Sequence, residues 1–207
     1  MPIQLKFRDD GTFTIVQFTD IHWHNGEPED IKSRALMGLV VEKEAPDLVA
    51  LTGDILSGSG CKDPRKSFRQ VVEAFEERQV PWAAVFGNHD DEGGVSRAEL
   101  MEVQTLYALS VSEPGPDDIS GVGNYVLRVK AAKHNETAAA LYFIDSGSYA
   151  KTGIGGYDWI QRNQIEWYIS ESSALTAAAG HPLPALAFFH IPIPEYDEVW
   201  DFHTCYG

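Results

Sequence analysis

Four short polar clusters hold the groups of this chain best equipped for chemistry: Asp20-Ile21-His22, Gly53-Asp54, Gly87-Asn88-His89-Asp90 and His190. With Asp90 set aside, they offer two carboxylates, an amide oxygen and two or three imidazoles. That mixture suits a pair of metal ions of intermediate hardness better than a thiolate zinc finger or an all-oxygen calcium loop. Each cluster has an ordinary structural alternative when taken alone. Asp20 would cap a turn with His22 at the surface. Gly53-Asp54 would be a Gly-Asp turn, and Gly87 to Asp90 an Asx-type turn. His190 would be a buried histidine satisfied by a backbone carbonyl.

What raises the four above these alternatives is where they sit. Each follows an apolar run: Phe13 to Phe18, Asp47 to Leu51, Trp82 to Phe86 and Ala185 to Phe189. Runs of this length bounded by turn residues read as buried strands. Four strand ends delivered to one rim of a sheet are able to converge. Asp20 and His22, two apart on an extended stretch, would point the same way.

Helical spacing fills the intervals. Ile31, Ala35, Leu39 and Val40 suggest a helix closed by Pro46. Phe68, Val71, Val72 and Phe75 suggest a second, ended by Pro81. Ser96 and Glu99 fit a capping box for a third, running to about Leu106. A loop covers Ser112 to Asp118. Two strands, Asn124 to Val129 and Ala138 to Ile144, follow with a turn near Asn135. A long helix is expected from about Tyr157 to Ala179, with Ile165, Tyr168 and Ile169 on one face and Gly180 past its end. Strands alternating with helices suggest an α/β fold with largely parallel pairing. No repeat or domain boundary is visible, so residues 1–207 read as one domain.

The formal net charge of −15 argues against a non-specific nucleic-acid or anionic-membrane partner, which would need a basic face. A small phosphorylated substrate remains compatible, because a bound metal outweighs the global field locally. No stretch approaches the roughly 18 apolar residues of a spanning helix. Residues Met1 to Arg8 lack a signal-peptide core, so a cytoplasmic location is the default expectation. Asn135-Glu136-Thr137 is then a chance glycosylation pattern. Cys61 and Cys205 are too few for a disulfide framework.

The order Asp-x-His, Gly-Asp, Gly-Asn-His-Asp and a later His, from about Phe13 to Pro194, resembles the calcineurin-like metallophosphoesterase family. The likeness is greatest to its small purple-acid-phosphatase-like branch. It implies two mixed β-sheets packed together with helices outside. It also implies a two-metal site in which a metal-held hydroxide attacks phosphorus in line. Asp20 and His22 would bind one metal, Asn88 and His190 the other, and Asp54 would bridge. His89 would be the catalytic residue, donating to the phosphate or leaving oxygen, with Asp90 orienting it or closing the turn. The metals would be two divalent or trivalent ions drawn from Mn, Fe, Zn or Ni. His24 would lie in solvent or touch substrate, while His134, His181 and His203 carry no motif.

Two departures from the pattern stand out. Purple acid phosphatases proper carry a Tyr three residues after the Gly-Asp carboxylate. Here that residue is Ser57, so the calcineurin-type ligand set is favoured and no purple chromophore is expected. The family also ends its site with Gly-His-x-His, which this sequence does not contain. The expectation is therefore a chain truncated before its last strands, poor in activity and prone to self-association. The reading is a phosphomonoesterase or phosphodiesterase, with a catalytically incomplete fragment as the alternative. A metal-dependent nuclease is disfavoured by the acidic balance.

Overall fold

The computed structural model of the protein describes residues 3–151, 153 and 155–196. Strand β2 (Leu48–Thr52) shows the architecture most directly, because all five of its residues are buried. Alternate strand residues face opposite ways. Leu48 and Ala50 enter one apolar core, Val49 and Leu51 another. The strand is therefore covered on both sides, which explains its unbroken apolar run. β1 (Ile15–Phe18) and β3 (Trp82–Val85) flank it in parallel, with Ile15 opposite Leu48 and Val49 opposite Trp82.

A second sheet has the order β4-β5-β6. β5 (Thr137–Phe143) pairs antiparallel with β4 (Tyr125–Lys130) and parallel with β6 (Ala185–Phe188). Parallel pairing thus holds throughout the first sheet but not between β4 and β5. Their connection around Asn135 is too short for the crossover that parallel strands require.

The two sheets pack face to face. Leu48, Ala50, Ala83 and Val85 meet Tyr125, Leu127, Leu141, Phe143 and Phe188 in one core. The outer face of the first sheet carries α1 (Pro28–Glu44), α2 (Pro64–Glu76) and α3 (Arg97–Thr105). The outer face of the second carries α4 (Arg162–Ala179) through Trp167 and Leu175. The result is four layers: helices, sheet, sheet, helix.

The sequence patterns succeed unevenly among the helices. Phe68, Val71, Val72 and Phe75 of α2 are fully buried, as their spacing predicts. The Ser96–Glu99 capping box opens α3. In α1 the expected apolar stripe faces the wrong way: Ile31 and Leu39 are exposed, while Met37 and Val41 enter the core. The helix carries apolar residues on more than one side, so periodicity alone does not select the buried one. The last helix starts at Arg162 rather than Tyr157, where Gln161 and Gln164 cap each other reciprocally. Ile165, Tyr168 and Ile169 lie on its open side, and Gly180 ends it at φ +78°.

The outer edge of β3 is closed by backbone and side chain together: the Trp82 N–H donates to Leu109 O at 3.0 Å and Trp82 O accepts from the Val111 N–H at 2.8 Å. The Tyr125 hydroxyl accepts from the Ala84 N–H at 3.1 Å and donates to the Ala84 carbonyl at 2.9 Å. This satisfies backbone groups that an edge strand would otherwise leave unpaired.

Candidate metal centre

β1, β2, β3 and β6 end at the same rim, and the chain turns sharply there. Gly53 has φ +95°, and a Cβ on it would lie 2.6 Å from His190 Nδ1 and 2.7 Å from the Gly87 nitrogen. A glycine is thus what allows three segments to meet. Gly87 plays the same part against Asp54, whose Oδ1 would lie 2.2 Å from a Cβ there. Asp20, His22 and Asp54 adopt left-handed backbone at φ 53°, 48° and 49°. Such residues cost about 1–3 kcal/mol each and concentrate where function demands them. The extended backbone expected for Asp20 and His22 is therefore corrected: left-handed turns aim them, not strand alternation. The Asp20 N–H donates to Gly53 O at 3.1 Å and the His22 N–H to Asp54 O at 2.9 Å, which fixes this loop to the end of β2.

Asp54 is the hub. Its Oδ1 accepts the His89 N–H at 2.9 Å. Its Oδ2 is faced by His190 Nε2 at 3.3 Å, His22 Nε2 at 3.7 Å and His89 Nε2 at 4.0 Å. Asp20 Oδ1 stands 3.8 Å from His22 Nε2. His190 directs Nδ1 to the Thr52 carbonyl at 2.9 Å, so that nitrogen carries the proton and Nε2 is left toward Asp54. The backbone-satisfied reading of His190 describes only one of its two nitrogens. Burial pushes the Asp54 carboxyl up, but the hydrogen bonds from His190 and the His89 amide outweigh it and hold the pKa low. Burial pulls the His190 imidazole down, yet Asp54 and the Thr52 carbonyl raise it overall.

The Gly-Asn-His-Asp loop is held from behind. Asp90 is fully buried and closes the turn, Oδ1 accepting from Leu56 N at 2.8 Å and Oδ2 from Gly87 N at 2.7 Å. Burial pushes its carboxyl up to about 7 against the pull of those two N–H groups. The residue in contact with His89 is instead Glu92, whose Oε2 lies 2.8 Å from Nδ1. That hydrogen bond is the main reason the His89 pKa is raised. Arg97 ties the loop to its neighbour, donating to Gly87 O at 2.8 Å and Gly147 O at 2.9 Å while pairing with buried Asp145. Asp90→Ala leaves two buried N–H groups without partners, at about 1–3 kcal/mol each. We expect a loss of about 2–4 kcal/mol in urea unfolding; a midpoint equal to the parent's would rule out the closing role.

Two donor groups result, His22–Asp54–His89 and Asp20–Asp54–His190, each with ligand atoms within 4.8 Å of one another. They line a cavity of about 520 Å³ that also holds Gln17, Thr52, Asn88 and Tyr157. No lysine or arginine is among the described residues lining it. Two carboxylates with no lysine or arginine beside them among the described residues repel a phosphate unless cations are added, and the His/Asp/Asn donor set fits intermediate metals. The residues present therefore fit metal ions. A larger groove of about 1160 Å³ beside Leu5 and Trp167 has Glu113 and Glu171 as its acids and no histidine among the described residues lining it.

The calcineurin-like phosphoesterase family profile matches residues 13–205. The chain belongs to the calcineurin-like phosphoesterase family. The chain is 37% identical to "Probable inactive purple acid phosphatase 28" of Arabidopsis thaliana, over 96% of the chain and 58% of that protein. It is 32% identical to "Probable inactive purple acid phosphatase 29" of the same plant, over 93% and 57%. It is 35% identical to "Phosphatase DCR2" of Saccharomyces cerevisiae, over 93% and 37%. The chain thus spans a little over half of the two plant proteins and less of the yeast one.

Asp20, His22, Asp54, Asn88, His89 and His190 all line the one cavity. His24, His134 and His181 are exposed and do not line it, while His203 and Cys205 lie outside the described residues. Glu92 and Tyr149 escaped the sequence reading. Glu92 sits three residues after His89, a spacing that signals a partner; Tyr149 lies 61 residues from Asn88 and gives no local sign.

Proposed function

We propose that the chain hydrolyses phosphate esters in a metal-dependent reaction. The observation that carries this reading is the Asp54 carboxylate, one of whose oxygens faces three imidazole Nε2 atoms at 3.3–4.0 Å in a cavity with no lysine or arginine among the described residues lining it. Asp54 would be shared between two ions. The family resemblance sets Asp20 and His22 on one side and Asn88 and His190 on the other, a pairing supported by the 3.8 Å between Asp20 Oδ1 and His22 Nε2. The three-residue groupings instead place Asp20 with His190 and His22 with His89. Bound there, Mn, Fe, Zn or Ni would supply Lewis acidity and an activated water. His89, held by Glu92 through Nδ1, presents Nε2 to the cavity and donates its proton to a phosphoryl or leaving oxygen. His22 packs edge-on against His89 at 5.1 Å between ring centroids, which narrows the room for water around that donor. The substrate is a small phosphate mono- or diester, and with a net charge of −15 we propose neither a nucleic acid nor a membrane as partner. Among the described residues no helix is long and apolar enough to cross a membrane.

A second reading is metal binding without turnover. Two relatives carry "probable inactive" in their names, and this sequence holds no Gly-His-x-His. One experiment separates the two. The chain is stripped with chelator and reloaded with Mn²⁺. Metal content is then measured, and the turnover of p-nitrophenyl phosphate and bis-p-nitrophenyl phosphate is compared with that of a chain extended through a Gly-His-x-His. Metal uptake with turnover in the chain itself supports hydrolysis. Uptake with turnover only in the extended chain supports the second reading. No uptake by either sinks both.

A further inference from the structure

Behind the cavity, a line of hydrogen bonds joins Asn88 to His89 through two side chains that occupy no ligand position. Asn88 Nδ2 donates to the Tyr149 hydroxyl at 2.9 Å. That hydroxyl donates to Glu92 Oε1 at 2.9 Å. Glu92 Oε2 faces His89 Nδ1 at 2.8 Å.

The direction of every bond follows from the chemistry of the groups. An amide nitrogen only donates, and a carboxylate only accepts. The tyrosine must therefore accept from Asn88 and give its single proton to Glu92. His89 must carry a proton on Nδ1. An inverted Asn88 amide would set its oxygen against a hydroxyl whose proton is already committed, so two acceptors would face each other. The amide is thereby locked with Oδ1 available to the cavity, and His89 with Nε2 available to it.

We propose that Tyr149 and Glu92 are positioning residues, Tyr149 selecting the Asn88 amide orientation and Glu92 holding the His89 ring with Nε2 toward the cavity. This rests on the metal-dependent hydrolase reading. Tyr149 is 44% exposed, so its role is not to fill the core. It stacks on Tyr157 at 5.9 Å, and its loop is fixed to the Asn88 loop by Ser148 Oγ donating to Asn88 O at 3.1 Å. Those contacts keep the hydroxyl in place without burying it.

The test compares Tyr149→Phe and Glu92→Gln with the parent. Groups that orient a ligand from behind are typically worth about 10–100-fold in metal affinity or activity. Tyr149→Phe is expected to weaken one of two Mn²⁺ equivalents by about that factor in calorimetric titration. Glu92→Gln is expected to lower kcat with little change in KM. In the metal-free protein, the Asn88 side-chain NH₂ is expected to exchange slowly by nitrogen-15 NMR in the parent and fast in Tyr149→Phe. Equal exchange in both overturns the proposal, and it does so whether or not the protein takes up metal. Equal weakening of both Mn²⁺ equivalents, together with a lowered melting temperature, would make Tyr149 a structural residue and also overturn it. A parent that takes up no Mn²⁺ but shows the exchange difference overturns the hydrolase reading alone.

Discussion

Asp54→Ala is expected to abolish uptake of both metal equivalents. The residue is 4% exposed and its Oδ2 is the atom on which three histidine nitrogens converge. It belongs to both donor groups, whereas Asp20, His22, His89 and His190 each belong to one. Removing it takes away the shared ligand and leaves facing imidazoles that repel one another when protonated. The measurement is elemental analysis of chelator-treated, reloaded protein beside the parent. Folding is checked by circular dichroism, since Oδ1 also accepts the His89 amide at 2.9 Å. Asp54→Asn serves as the conservative control because it keeps an oxygen acceptor for that amide. Metal content equal to the parent's in Asp54→Ala would remove the carboxylate from the site.

His89→Ala is expected to slow turnover about 10²–10⁴-fold while metal content stays near the parent's, the usual worth of a positioned proton donor. His89 stands within ligand reach of His22 and Asp54, so geometry alone permits either role. Two features favour the donor. Its Nε2 is the farthest of the three imidazole nitrogens from Asp54 Oδ2. Its Nδ1 contact with Glu92 raises its pKa, which preserves a proton to donate toward neutral pH. Single-turnover rates and metal content measured on the same preparation decide the matter. Parallel loss of both would make His89 a ligand.

Much of this was legible in the sequence because buried strands and their ends obey simple rules. The apolar runs closing at Phe18, Leu51, Phe86 and Phe189 became the four strands that bring Asp20, Asp54, Asn88 and His190 into one cavity. The Ser96–Glu99 box is a local hydrogen-bond pattern and was read locally. In α1 periodicity did not select the buried face because apolar residues lie on more than one side; in α4 Ile165, Tyr168 and Ile169 do share one face, and that face is the open one. Ile31 and Leu39 in one, and Ile165 and Ile169 in the other, have the spacing of a core stripe without being one. The left-handed backbone at Asp20, His22 and Asp54 leaves no residue signature, since none is glycine. Tyr149 was invisible because its partner Asn88 is brought to it only by the packing of the loops that follow β3 and β5.

The candidate metal centre spans a seam. Asp20, Asp54 and Asn88 follow strands of the first sheet, whereas His190 follows β6 of the second, 138 residues after the Thr52 carbonyl it grips. An ion held by both sides is a clasp across the sandwich and exists only after the sheets have docked. A ligand that binds only the native form stabilises it by about 2.7 kcal/mol at a hundredfold excess over Kd. With ions bound, metal supply would set how tightly the two sheets stay together. The melting temperature is therefore expected to rise with ion occupancy even in a variant that cannot turn over, and a chelator to act on the loaded protein as a mild denaturant.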